Sequence, residues 1–136
     1  MSAEELQRIL PPDTEISRPF WQGCREGELR LQHCADCDRF QFYPRIVCSH
    51  CGSSALAWQA VSGAGRIASY SVVRRGISRA YTAPYVVALI DLDEGPRMMS
   101  SIVGAEPEAV SIGAAVNVRF ETWGADYVLP VFGLQD

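Results

Sequence analysis

The sequence predicts a mainly β protein with short helices at the N-terminus, a small metal-binding ribbon after them and a five-stranded barrel at the C-terminus. Four cysteines form two Cys-x-x-Cys pairs separated by ten residues, and a series of strand-like segments follows them. With 136 residues, 48% of them hydrophobic and 21% charged, the chain has room for one ordinary domain and one small module.

The four cysteines, Cys34, Cys37, Cys48 and Cys51, predict one metal site. A Cys-x-x-Cys turn directs two thiolates to a common point, and two such turns complete the tetrahedral sulfur shell that zinc prefers. Because four thiolates leave no position for water or substrate, we expect one structural Zn²⁺ per chain in a rubredoxin-like zinc ribbon. Two alternatives stay open here: two disulfides, and iron in a rubredoxin-like electron carrier.

Several residues near the cysteines have structural interpretations. His33 and His50 each neighbour a cysteine in the sequence and could bind the metal. Because four thiolates already complete the ligand set, we expect both histidines to lie around the site or in solvent instead. Cys24 lies outside the spacing, and we interpret it as a small buried residue on a helix rather than a nucleophile. Asp38 and Gly52 follow the two knuckles, where such turns often need positive φ.

Two short helices are predicted ahead of the ribbon. Ser2 to Leu10 has capping-box spacing and one apolar face, and a pair of prolines ends it. The second helix runs from Pro19 to Arg25, capped by Ser17 and stopped by Gly27. Two roles stay open for these helices: packing against their own domain, or docking on a partner subunit.

Three short strands complete the ribbon around the knuckles: Leu29 to His33, Arg39 to Tyr43 and Leu56 to Ala60. The segment Val61 to Gly65 is predicted to be a linker. The predicted division is therefore residues 1–28 for the N-terminal helices, 29–60 for the zinc ribbon and 61–136 for the barrel.

The barrel segment is predicted to contain three strands, a short helix and two strands. The strands are Arg66 to Arg74, Tyr85 to Leu92, Pro96 to Val103, Val116 to Glu121 and Tyr127 to Phe132. The helix is Glu106 to Val110, with Pro107 at a helix-start position. The fourth strand alternates, with Val116, Val118 and Phe120 inward. This order matches an OB-fold, a five-stranded Greek-key barrel that uses its loops and one sheet face for ligands.

Composition excludes several classes of function. A net charge of −4 argues against general nucleic-acid binding, because the phosphate backbone favours a basic surface. All twelve basic residues are arginine, which removes lysine Schiff-base chemistry and leaves groups that bind phosphate bidentately. The longest apolar stretch, around Tyr85 to Ile90, is too short to cross a bilayer, and Met1 to Leu10 is unlike a secretory signal. We therefore expect a cytoplasmic protein with no membrane association.

The sequence offers no evident catalytic constellation. Both histidines belong to the ribbon, and the serine-rich stretches lack nucleophile-elbow spacing. Three acidic residues, Asp91, Asp93 and Glu94, crowd a turn where solvated charge is expected. The residues alone therefore do not predict an enzyme.

One loop, Arg74 to Pro84 between the first two barrel strands, suggests contact with a ligand. We predict that Arg74, Arg75, Arg79 and Tyr81 bind substrate, since they present guanidinium groups and an aromatic face to an anionic, nucleotide-bearing molecule. The alternative is a mobile, solvated connection.

Several motifs stand in order along the chain: Pro19-Phe20-Trp21, the strand Leu29 to Leu31, the four cysteines with Pro44 between the pairs, Gly63 and Gly65 ahead of Tyr70-Ser71, and Pro84 to Leu89 followed by Asp91, Asp93 and Glu94-Gly95-Pro96-Arg97. In this order they resemble the small zinc-ribbon plus OB-fold proteins, long classed as a domain of unknown function, that accompany thiolase-like enzymes. The resemblance covers roughly residues 15–133. The sequence departs from the pattern of this family at three places: Asp38 stands where glycine is usual, Cys24 lies on the helix, and Thr122 to Asp126 differs ahead of the last strand.

The resemblance implies a non-catalytic accessory subunit. Such proteins bind thiolases, thiolase-like acyltransferases or the lipid-transfer-type aldolases that shorten steroid side chains, and some associate with hot-dog hydratases. It implies that the partner carries the catalytic groups, while the barrel helps to shape the site for acyl-CoA or a related acyl substrate. The alternative is an OB-fold protein that binds single-stranded nucleic acid, against which the acidic charge argues.

Overall fold

The computed structural model describes residues 9–124 and 127–135, which contain one α-helix, α1 (Arg18–Arg25), and eight strands. The strands are β1 (Leu29–Cys34), β2 (Phe40–Gln41), β3 (Leu56–Val61), β4 (Ala64–Val73), β5 (Tyr85–Leu92), β6 (Arg97–Ile102), β7 (Ala115–Trp123) and β8 (Tyr127–Leu134). Strands β2, β1 and β3 form an antiparallel sheet, and the others close a barrel in the order β4-β5-β6-β8-β7. The predicted mainly β fold, a ribbon followed by a five-stranded barrel, is confirmed.

The ribbon differs from the prediction most at its second strand and at the segment that follows its third strand. Its second strand is only Phe40–Gln41, not Arg39 to Tyr43, because the chain leaves the sheet after Gln41 to form the loop between the cysteine pairs. The predicted linker Val61 to Gly65 is also wrong, since β3 and β4 leave two residues between them. Gly63 makes this short connection possible with φ of +75°, and a Cβ there would overlap the Val118 side chain.

Helix α1 lies where it was predicted, but Ser17 does not cap it. The Ser17 backbone is already helical, with φ −92° and ψ −9°, whereas a capping residue is extended so that its side chain reaches the helix N–H groups. Its hydroxyl lies 2.6 Å from that of Thr14 instead. Gly27, with φ of +80°, follows the helix as predicted.

The two other predicted helices have different outcomes. Ser2 to Leu10 lies, except for its last two residues, outside the described residues. Glu106 to Val110 shortens to one 3₁₀ turn, Pro107–Ala109, because Glu106 and Val110 have extended backbones. Within residues 9–124 and 127–135, no helix has the length and apolar character needed to cross a membrane.

The barrel strands follow the predicted alternation. Strand β5 has its predicted bounds, and on β7 the side chain of Val116 is fully buried while Val118 and Phe120 pack against the core. The barrel closes where β6 meets β8 in a short parallel pair, Ile102 opposite Phe132. The N–H of Val103 donates to the Phe132 carbonyl at 2.8 Å, which extends this closure by one hydrogen bond.

One hydrophobic core runs from the ribbon into the barrel. Phe20 and Cys24 of α1 and Leu31 of β1 belong to the same buried cluster as Ile90 and Phe132 of the barrel. Helix α1 therefore packs against its own chain, touching both β1 and β8. Cys24 is 1% exposed, and burial raises the pKa of its thiol to about 12, which agrees with a packing role. The predicted domain boundaries stay a prediction.

Candidate functional site

The structure brings the four predicted metal ligands together. The Sγ atoms of Cys34, Cys37, Cys48 and Cys51 all lie within 4.8 Å of one another. The Cys34–Cys51 and Cys37–Cys48 Sγ distances are both 3.6 Å, so each close pair joins the two knuckles. Four sulfurs at about 2.3 Å from a tetrahedral zinc lie about 3.8 Å apart. The cluster therefore fits one such ion, which would hold the two knuckles together as a structural crosslink.

The same distances argue against disulfides. A disulfide bond joins its sulfurs at about 2.05 Å, far less than the 3.6 Å found here. All five cysteines lie within the described residues, and all are free thiols. Of the alternatives left open by the spacing, a metal site is thus the one that the geometry favours.

The thiols of Cys37 and Cys48, whose Sγ atoms lie 3.6 Å apart, differ in acidity. Desolvation and the neighbouring Cys48 thiol raise the pKa of Cys37 to about 12. For Cys48, burial acts to raise the pKa, but the N–H groups of Cys51 and His50 outweigh it and lower the pKa to about 6. The pKa values of these two groups therefore favour a Cys48 thiolate beside a protonated Cys37, and a divalent cation would let all four cysteines bind as thiolates.

Both knuckle turns adopt the left-handed backbone expected from their positions. Gly52 has φ of +80° and Asp38 has φ of +59°. Asp38 tolerates this region because a short polar side chain can bond locally, and its Oδ1 lies 2.8 Å from Nε2 of His33. Neither His33 nor His50 belongs to the sulfur cluster. Asp38, which stands where glycine was expected, therefore orients a histidine of the central ribbon strand β1.

Two buried glutamines, each 5% exposed, hold the loop between the cysteine pairs. The Gln32 side chain accepts from the N–H of Arg45 and donates to its carbonyl, both at 2.9 Å. Gln41 donates to Gln32 Oε1 at 2.7 Å and accepts from the N–H of Ser49 at 2.8 Å. The sequence analysis missed both residues, because a glutamine in a short strand resembles an exposed position. Together they fix the course of residues 44–49.

A cavity of about 370 Å³ opens at the mouth of the barrel beside the loop Arg74 to Pro84. Its wall is aromatic: the Tyr81 and Trp123 rings meet edge to face with centroids 6.2 Å apart, and Tyr85 lies next to them. Among the lining residues that the structure describes, Glu121 is the one with a carboxylate, and it accepts a hydrogen bond from Trp123 Nε1 at 2.8 Å. We call this the barrel-mouth cavity, and its chemistry suits a largely apolar ligand.

The predicted substrate residues divide between the cavity and its surroundings. Tyr81 lines the cavity, and its hydroxyl accepts from the N–H of Ile9 at 2.8 Å. Among the described residues, the lining does not include Arg74, Arg75 or Arg79. Arg74 lies 3.9 Å from the Glu108 carboxylate, and Glu108 follows Pro107, a lining residue, so Arg74 lies near the rim. The three arginines are thus outside the cavity, and any contact with phosphate would occur at its edge.

Comparison with protein-family models matches both parts of the chain. Residues 21–57 match the model described as "ChsH2, rubredoxin-like zinc ribbon domain", and residues 58–121 match "ChsH2, C-terminal OB-fold domain". The zinc ribbon and the OB-fold are therefore identified by sequence as well as by geometry.

Curated relatives and a solved structure are also similar. The "DUF35 domain-containing scaffold protein" of Methanothermobacter thermautotrophicus is 39% identical over 109 residues, which cover 79% of this chain and 82% of the relative. The "Probable enoyl-CoA hydratase alpha subunit" of Thermomonospora curvata is 34% identical over 134 residues, 95% of this chain. The chain spans 41% of the length of that relative. A solved "Ltp2-ChsH2(DUF35) aldolase" chain superimposes with a TM-score of 0.84 at 30% identity, covering 92% of this chain and 98% of that one.

Proposed function

This chain belongs to the DUF35 family of zinc-ribbon and OB-fold proteins, and we propose on that premise that it is a zinc-stabilised accessory subunit of an acyl-CoA enzyme. The proposed partner, a thiolase-like acyltransferase or a lipid-transfer-type aldolase, carries the catalytic groups. The observation that carries this proposal is the barrel-mouth cavity, whose wall of Tyr81, Tyr85 and Trp123 stands beside a ribbon held by a closed four-cysteine cluster.

The relatives support this class of partner. An aldolase partner is supported by the Ltp2-ChsH2(DUF35) aldolase, and a non-catalytic role by the name of the archaeal scaffold protein. A hot-dog hydratase is a further candidate partner, since one relative is named as a hydratase alpha subunit. We place the protein in the cytoplasm, because a thiolate metal site is stable in a reducing compartment.

We assign the acyl part of the substrate to the barrel-mouth cavity. Its aromatic wall of Tyr81, Tyr85 and Trp123 supplies apolar contact, and its volume of about 370 Å³ lies within the range of small-molecule sites. The loop arginines lie outside the lining, where they are suited to the phosphates that follow the acyl group of a coenzyme A thioester.

The isolated chain should show no thiolase, acyltransferase or aldolase turnover, because its sequence offers no evident catalytic constellation and the proposed partner carries the catalytic groups. Activity should appear when the purified partner is added, and the measurement is a thioester-cleavage or condensation assay of each protein alone and of the mixture. Turnover that stays with the chain at constant specific activity through further chromatography would contradict the accessory role.

Alanine at Arg74, Arg75 or Arg79 should raise the apparent KM of the complex for acyl-CoA with a modest change in kcat, as uniform binding contacts do. Each charge-assisted hydrogen bond lost is expected to cost on the order of 1 kcal/mol or somewhat more. Arg66→Ala, on the barrel but outside this loop, serves as the control, and every variant should still assemble with the partner. A triple loop variant that assembles and binds acyl-CoA with wild-type affinity would reduce the loop to a solvated connection.

A further inference from the structure

A second cavity, of about 470 Å³, lies between the zinc ribbon and the barrel, and we call it the ribbon–barrel cleft. One wall is formed by β2 and the loop after it, and the other by the turn between β5 and β6. Its lining includes the basic residues Arg39, Arg45, His50 and Arg97, and it shares no residue with the barrel-mouth cavity. The lining carries three guanidinium groups against the two carboxylates of Asp38 and Glu94, so on a chain with a net charge of −4 the cleft has a small excess of positive charge.

The acidic groups of the cleft already have partners. The Glu94 carboxylate accepts a backbone N–H at 2.9 Å, and Asp38 bonds a histidine at 2.8 Å. Arg97 is paired with an aspartate at 2.6 Å. Arg39 and Arg45, by contrast, form no ion pair with any residue in the ranges 9–124 and 127–135. Two guanidinium groups therefore line the cleft without an ion-pair partner among the described residues.

The cleft wall is held in place before any ligand arrives. The buried side chain of Gln32 bonds both the N–H and the carbonyl of Arg45. Two residues earlier, Tyr43 is 59% exposed, and its ring rests edge to face against Phe42 with centroids 5.1 Å apart. A fixed loop thus presents a guanidinium group and an aromatic ring to the same cavity, which lowers the entropy lost on binding.

We propose that the ribbon–barrel cleft binds a nucleotide, a ligand with phosphate beside a planar base. The guanidinium forks of Arg39 and Arg45 match phosphate oxygens bidentately, and the exposed ring of Tyr43 provides a stacking surface for the base. The site is separate from the loop Arg74 to Pro84, and it does not depend on the accessory role proposed above.

The test is calorimetric titration of the zinc-loaded full chain, without a partner, with ADP, adenosine 3′,5′-bisphosphate and pyrophosphate. Arg39→Ala with Arg45→Ala should raise the Kd for ADP by about tenfold or more. Tyr43→Ala should weaken the binding of ADP but leave the affinity for pyrophosphate unchanged. Arg18→Ala with Arg66→Ala removes the same charge elsewhere and should leave the ADP affinity unchanged. Tighter binding of the 3′,5′-bisphosphate than of ADP would identify coenzyme A as the source of the nucleotide. Tighter binding of ADP would identify a nucleoside diphosphate.

Zinc content is measured for every variant, so that loss of the metal site is not mistaken for loss of nucleotide binding. Absence of ADP binding to the wild-type chain at millimolar concentration would overturn the proposal, as would wild-type affinity in the zinc-loaded cleft variant. Loss of ADP binding in the triple Arg74, Arg75 and Arg79 variant, with binding retained in the cleft variant, would place the nucleotide at the loop instead. Equal effects of Tyr43→Ala on ADP and pyrophosphate would exclude base stacking.

Discussion

Cys48→Ser should leave the chain without zinc and its ribbon unfolded. The Cys48 side chain is 3% exposed and its Sγ lies 3.6 Å from that of Cys37, so serine removes a buried thiolate ligand from the cluster. In small metal modules the free energy of binding is also the free energy of folding, about 10–16 kcal/mol in zinc-finger peptides at neutral pH. The zinc content measured by elemental analysis should fall from one per chain to almost none. In a two-dimensional NMR spectrum, the amide resonances of the ribbon should lose their chemical-shift dispersion.

Cys24→Ala is the matched control for this experiment. Cys24, at 1% exposed, is about as buried as the ligands Cys34 and Cys48, but it lies outside the sulfur cluster, so its loss should leave one zinc per chain. Iron at comparable occupancy with visible colour would contradict zinc as the metal. A folded wild-type chain with intact free thiols and no metal would contradict the metal site itself.

Phe132→Ala should destabilise the protein by about 3–5 kcal/mol, the range for removing a large buried aromatic side chain. Phe132 is fully buried and stands opposite Ile102 at the short parallel pair that closes the barrel. The cavity left there would lie at the point where the fewest residues hold the strands together. Urea denaturation followed by tryptophan fluorescence measures the change.

Ile112→Ala provides the comparison, since this side chain is 70% exposed. Its effect should stay within about 0.5 kcal/mol, as for most surface substitutions. A loss of stability below about 1 kcal/mol for Phe132→Ala would show that the stability of the barrel does not depend on the contact between β6 and β8. Equal losses in the two variants would mean that burial does not set the size of the effect.

The parts of the fold set by local pattern were predicted. The cysteine spacing predicted the sulfur cluster because each Cys-x-x-Cys pair folds within a single turn. Tyr85 to Leu92 was predicted with its final bounds, because a long apolar run between turn residues leaves little choice of register. Ser17 was misjudged as a cap because residue type alone does not show whether the backbone of that residue is extended or already helical.

The parts set by distant contacts were not predicted. Gln32 and Gln41 bond backbone groups of a loop, and no periodicity marks such partners. Tyr81 reaches the barrel-mouth cavity while Arg74 does not, because the sequence places residues on a loop without giving the directions of their side chains. The ribbon–barrel cleft was also missed, since its two walls come from segments more than forty residues apart.

The core that continues from β1 through α1 into the barrel couples the stability of the ribbon to that of the barrel. Phe20 and Leu31 lose neighbours if either unit unfolds, so the stabilities of ribbon and barrel are thermodynamically linked. Linkage is reciprocal: if metal in the ribbon strengthens ligand binding at the barrel, a ligand at the barrel strengthens metal binding by the same free energy. Through this core, ligand binding at the barrel and metal binding in the ribbon of this chain would each strengthen the other.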